Sequence, residues 1–155
     1  MRRVAILLLL AISGLFTITG AEAPSPRWFK GNTHTHSLWS DGNDFPEMIT
    51  DWYKNQGYHF LAISDHNVLQ AKEVWMSTAS IAKRRLTLGK STMEKYVERF
   101  GLPWVETRQM EDKTEVRLKK LEEYRPLFEE PGSFLLIQAE EVTANFASTP
   151  KTKVP

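Results

Sequence analysis

The run YHFLAIS, Tyr58–Ser64, is apolar on both alternating faces and stands between Gly57 and Asp65. A strand buried on both sides belongs in a parallel sheet covered by helices, which demands crossover connections around it. The preceding segment meets that demand. Asp44 with Glu47 three residues on, Pro46 near the start, Ile49, Trp52 and Tyr53 at helical spacing and Gly57 as a stop spell a capped amphipathic helix. Before it, Arg27–Thr33 runs into Thr33-His34-Thr35-His36, where threonine and aromatic residues favour an extended chain ending near His36. The unit is βαβ, so the expected fold class is α/β.

From Val68 to Gly132 the chain turns charged, and the expectation there is helical. Ser91 and Glu94 form a capping box, Met93, Tyr96, Val97 and Phe100 share a face, and Gly101 with Pro103 ends that helix. A second helix is expected from the three-residue spacing of Leu118, Leu121 and Tyr124, up to Pro126. Pro131-Gly132 makes a turn into a third strand, Phe134–Gln138, followed by Glu140 and Glu141. The basic residues of the middle region, among them Lys83, Arg84, Arg85, Lys119 and Lys120, stand near acids and read as a solvated surface.

The amino-terminal residues carry two arginines, an apolar run from Val4 to Ile18 and the small-residue ending Ala21-Glu22-Ala23. That is the layout of a secretory signal peptide over 1–23, with cleavage after Ala23. The apolar run is shorter than the ~20 residues of a spanning helix, so no stable membrane anchor is expected after cleavage and the location is secreted or periplasmic. Of 20 basic and 19 acidic residues, the leader holds Arg2, Arg3 and Glu22, which leaves 18 of each sign. A neutral chain lacks the basic surplus of a phosphate-backbone binder, so no nucleic-acid partner is indicated. Cysteine is absent, which removes disulfides and thiolate ligands and leaves His, Asp and Glu to hold any metal. Roughly 130 remaining residues suit one modest domain rather than a full eight-unit barrel of about 250.

Within that frame the polar residues gather at strand ends. His34 and His36, at i and i+2 of an extended chain, present both imidazoles to one side. Asp41 follows before Gly42, Asp65-His66 ends the second strand, and Glu140-Glu141 ends the third. The carboxyl ends of parallel strands form the ligand-binding edge of such sheets, so three successive strands deliver metal-type ligands to one place. Each residue also has a plain structural use: Asp41 as a turn former, Asp65 as a cap, either glutamate facing solvent. Adjacent glutamates point opposite ways, so at most one faces the site. His59 begins its strand and stands outside the pattern.

These stretches, HTHSLWSDG, GYHFLAISDHN and FLLIQAEEVT, resemble the PHP family, the polymerase and histidinol phosphatase superfamily of metal-dependent phosphoesterases. The resemblance implies a partial domain over 27–148 followed by a polar tail, 149–155: the first part of a distorted, TIM-like, seven-unit β/α barrel with a helical insertion over about 68–132. It implies two or three divalent ions, Zn, Mn or Fe, with His34 and His36 on one ion, the motif glutamate bridging two, and Asp41 with His66 on another. The pattern of glutamate, hydrophobic residue and threonine selects Glu141, with Glu140 in reserve. Asp65, beside His66, is expected to act in catalysis by fixing an imidazole tautomer or holding a water at the metal. The partner is a small phosphorylated substrate, which Arg108 and Arg117 could touch, although surface ion pairs are their expected role.

Two departures qualify the likeness. The stretch between His66 and Glu141 is long, and all four histidines lie at or before position 66, so the further histidines and the late aspartate-x-histidine pair of the family have no counterpart. The expectation is a truncated barrel, ending after about three of seven units. A metal-dependent amidohydrolase and a non-catalytic metal-binding remnant are the competing readings.

Overall fold

The computed structural model describes residues 25–84, 89–144, 146–149 and 152–154. The signal peptide and Arg85 of the sequence reading lie outside the described residues. The described chain is mixed α/β, and among the described residues its sheets do not close into a barrel.

The first sheet is parallel and three-stranded, in the order β1 (Gly31–Asn32), β2 (Phe60–Ile63), β6 (Leu135–Gln138). Helix α1 (Pro46–Asn55) carries the chain from β1 to β2, and Gly57, at φ 70°, makes the left-handed turn out of it. Helix α4 (Leu121–Phe128) precedes β6. Leu61 and Ile63 of β2 and Leu136 of β6 pack with Leu121, Tyr124, Phe128 and Phe134 into one core. Gly31 has no side chain because the Phe60 ring lies over it: a Cβ there would meet the ring at 2.0 Å.

The expected first strand is shorter than its sequence promised, since regular pairing stops at Asn32. The chain stays beside β2 nonetheless, and the Ser64 amide donates to the Thr35 carbonyl at 2.8 Å. Helix α1 is not capped by an Asp44/Glu47 box. Phe45 is its cap residue, Pro46 supplies the pre-set first turn, and Glu47 is drawn into the core.

The region 68–132 is not a purely helical insertion. It contains α2 (Thr78–Ala82) and α3 (Thr92–Phe100), the latter with the expected Ser91–Glu94 box and a Gly101 stop. It also holds an antiparallel sheet in the order β3 (Val74–Ser77), β5 (Lys113–Leu118), β4 (Thr107–Met110). Part of the charge in this region pairs across strands: Arg108 lies opposite Glu115 in register and donates to its Oε2 at 2.7 and 2.8 Å. Leu118 therefore belongs to a strand. Pro126 lies inside α4 rather than ending it. This sheet and its helices enclose a second core of Leu38, Trp39, Phe45, Ile81, Tyr96, Val116 and Leu118, with the Phe45 and Tyr96 rings stacked at 3.7 Å. Of the expected polar tail, Thr149 ends β7 (Phe146–Thr149) and Thr152–Val154 forms β8, which pairs antiparallel with β7, so a boundary at 148 falls within a strand.

Candidate metal centre

The backbone continues to pair past the ends of β2 and β6, and that pairing brings the polar residues together. His66 and Glu141 form a parallel bridge, with the Glu141 amide donating to the Asp65 carbonyl at 3.0 Å and the Asn67 amide to the Glu141 carbonyl at 2.9 Å. Asn67 adopts φ 52°, a conformation asparagine tolerates better than most residues. Its Oδ1 accepts from the Thr143 amide at 2.9 Å, so one residue ties both strand ends.

Glu141 Oε2 is the hub. It lies 2.8 Å from His36 Nε2, 2.9 Å from His34 Nε2 and 3.6 Å from His66 Nδ1. On its other side, His36 turns Nδ1 to Asp41 Oδ1 at 2.8 Å, and Asp41 Oδ2 lies 3.5 Å from His66 Nε2. The His36 and His66 rings are 4.3 Å apart. All five residues singled out as ligands, His34, His36, Asp41, His66 and Glu141, thus converge at the carboxyl edge. Glu140 stays exposed. His59 sits at the amino end of β2, where its Nδ1 accepts from the Lys30 amide at 2.9 Å.

The electrostatics follow from a shared imidazole. Burial opposes the charged form of His36, but hydrogen bonds to Asp41 and Glu141 and their negative charge outweigh it and hold this histidine above its ordinary range. Burial likewise pushes Glu141 up, and the His36 and His34 hydrogen bonds with the nearby imidazole charges bring it below the usual carboxylate range. Asp41 is held low chiefly by the hydrogen bond from His36. An imidazole facing carboxylates through both nitrogens is favoured in its charged form, and a metal ion bound through one nitrogen would compete with the proton there.

The donor set fits a divalent cation. One group is His34, His36 and Glu141, another is His36, Asp41 and His66, and in each the donor atoms lie within 4.8 Å of one another. A tetrahedral ion with bonds of about 2 Å sets its donors roughly 3.3 Å apart, so the pairs now hydrogen-bonded at 2.8–2.9 Å would open slightly and the wider ones close. Imidazole and carboxylate without thiolate suit zinc, iron or manganese, and do not single one out. The centre opens to solvent: the side chains of His34 and Asp41 are 67% and 65% exposed, whereas that of His36 is 19% exposed.

Asp65 does not sit where the sequence reading put it. Its carboxylate is fully buried and turned away from the imidazoles, towards the turn after His36. Oδ1 accepts from the Ser37 amide (2.7 Å) and Ser40 Oγ (2.6 Å), and Oδ2 from Ser37 Oγ (2.7 Å) and Gln70 Nε2 (2.8 Å). The turn itself closes through the Gly42 amide on the Ser37 carbonyl at 2.9 Å. Gly42 is packed against backbone, so a Cβ would lie 2.3 Å from the His36 carbonyl oxygen and 2.5 Å from the Ser37 nitrogen. Buried Leu38 and Trp39 anchor the turn in the second core. Ser37, Ser40, Asn67 and Gln70 were absent from the sequence reading; only the small-polar composition of SLWSDG and the left-handed preference of asparagine hinted at them.

Arg108 and Arg117 lie in the antiparallel sheet as ion pairs, Arg117 with Glu106 at 2.6 Å and Glu123 at 2.5 Å. Among the described residues no helix is long and apolar enough to cross a membrane. Fold and site together define a mixed α/β chain with a cluster of histidines and carboxylates, close enough to hold a metal ion, at the carboxyl edge of a parallel sheet. No family model, curated protein or solved structure matches this chain.

Proposed function

We propose that the chain is an exported, metal-dependent phosphoesterase of the PHP type, built on the first part of a distorted β/α barrel and acting on a small phosphate ester or a nucleotide. The observation that carries the reading is the convergence of three imidazoles on one oxygen of Glu141. Bound there, divalent ions would act as Lewis acids on the ester's non-bridging oxygens and lower the pKa of water to about 7. His34 and His36 offer Nε2 donors, and Glu141 faces both groups of ligands. Asp41 accepts the His36 Nδ1 proton and so fixes the tautomer that leaves Nε2 free for a metal. Asp65 holds the turn that carries His36 and Asp41 rather than meeting substrate. The open side of the cluster leaves room for the phosphoryl group.

A second reading, a non-catalytic metal-binding remnant, draws support from the open three-stranded sheet. Metal content and turnover separate the two. The purified chain is expected to retain stoichiometric divalent metal and to hydrolyse an aryl phosphate with added manganese or zinc, and the double substitution His34→Ala/His36→Ala is expected to abolish both. Metal without turnover supports the remnant, and a folded chain that binds no metal refutes both readings.

A further inference from the structure

We infer that a groove beside the cluster receives a planar aromatic group, so that the ester is the phosphate of an aromatic alcohol or a nucleoside; this rests on the phosphoesterase reading above. The groove has a volume of about 530 Å³ and runs along α1, lined by Thr35, His36, Met48, Ile49, Trp52 and Tyr53. Thr35 and His36 also line the recess of about 390 Å³ over His34 and Asp41, so the two spaces share a wall beside the cluster. A group held in one lies next to a phosphoryl group held in the other. The volume falls within the usual range of small-molecule sites.

The wall chemistry selects the occupant. Met48 and Trp52 are one helical turn apart on the same face, about 6 Å along the axis. Trp52 is 54% exposed, and it meets Tyr53 edge-on at 5.0 Å and 87° rather than face to face. Tyr53 is fixed in turn by Asn32, whose Nδ2 donates to its hydroxyl at 2.5 Å. The charged groups along the groove are committed, Lys95 to Asp44 and Asp51 to Arg99. With these charges paired off, the groove offers apolar and aromatic surface to the organic part of the ester and no uncommitted Lys or Asp to its phosphate. A larger hollow of about 860 Å³, lined by Phe29, His59 and Pro126 among others, touches none of the cluster residues and cannot serve the same substrate.

The test compares 1-naphthyl phosphate and adenosine 5′-monophosphate with glycerol 3-phosphate, in the wild type and in Trp52→Ala and Trp52→Phe. The expected result is a KM about tenfold higher for the two aromatic esters in Trp52→Ala at unchanged kcat, the size of one aromatic contact. Glycerol 3-phosphate is expected to be unaffected, and Trp52→Phe to retain most of the aromatic preference. Equal shifts for all three esters, or no preference in the wild type, overturn the proposal. Should the chain hydrolyse none of them, the phosphoesterase reading fails while the groove remains testable with phosphate-free 1-naphthol, its binding to wild type and variant followed by NMR through the naphthol resonances. Binding weakened about tenfold by Trp52→Ala upholds the aromatic site, and absent or unaltered binding refutes it.

Discussion

Asp65→Asn tests the claim that the metal cluster is positioned by a buried network behind it. The carboxylate accepts four hydrogen bonds, two on each oxygen, from Ser37, Ser40 and Gln70. Asparagine keeps one acceptor oxygen and presents an amide to the remaining donors. An amide facing the Ser37 backbone N–H has no remedy, so the oxygen must stay there and the NH₂ must face Ser37 Oγ and Gln70. The hydroxyl can rotate to accept, but Gln70 cannot reverse without losing the Tyr124 hydroxyl on its Oε1. One charge-assisted bond is then lost, one is replaced by a weaker neutral bond, and the other two weaken. At ~1.5–3 kcal/mol for a bond to a charged group against ~1 kcal/mol for a neutral one, and with some relief from removing a buried charge, the expected loss is about 2–4 kcal/mol. Urea unfolding at unchanged m-value measures it. Because the turn carries His36 and Asp41, metal affinity should fall about 10–100-fold in the same variant. A stability within about 0.5 kcal/mol of wild type, together with unaltered metal affinity, would refute the positioning role.

Gly42→Ala places a methyl group against the His36 and Ser37 backbone, so the turn must open. A loss of about 1–3 kcal/mol with weakened metal binding is expected from thermal unfolding and metal titration, and wild-type affinity would contradict it. Glu47 concerns pH. It is fully buried, and burial pushes its carboxyl above the ordinary 4.5 despite hydrogen bonds from Tyr96 and Trp104 and the charge of Lys119. Between 4.5 and the raised folded value the native state holds more protons than the unfolded state, so stability falls as pH rises, by up to about 1.4 kcal/mol per pH unit. Glu47→Gln keeps an acceptor for both donors and removes the titration. Urea unfolding from pH 4 to pH 8 should therefore show the variant gaining on wild type as pH rises, and parallel curves would refute the assignment.

The parallel sheet and its ligand edge were legible because they rest on short patterns: a two-sided apolar strand, an H-x-H pair, polar residues where strands end. The antiparallel sheet was not, because Arg108, Glu115 and Arg117 stabilise it by pairing across strands, and alternating charges along one strand look like a solvated helix face. Glu47 was misread as a helix cap because its partner Tyr96 lies 49 residues away, outside any local window.

Asp65 is the more instructive miss, since the rule that allows only one of Glu140 and Glu141 to face the site applies to it unchanged. Neighbours on an extended chain face opposite ways, and with His66 turned to the cluster Asp65 must turn from it, into the protein. What lies there is the turn after His36, and this explains why the cluster can be ordered although β1 is only two residues long. Regular pairing fixes the backbone of His66 and Glu141 through their bridge. His36 and Asp41 lie beyond any such ladder; isolated backbone bonds at Thr35 and Ser37 close the turn, and side chains hold it in place, the Asp65 carboxylate above all, with buried Leu38 and Trp39 behind them. The geometry of the metal ligands is thus set as much by buried residues that touch no metal as by the strands on which the ligands stand.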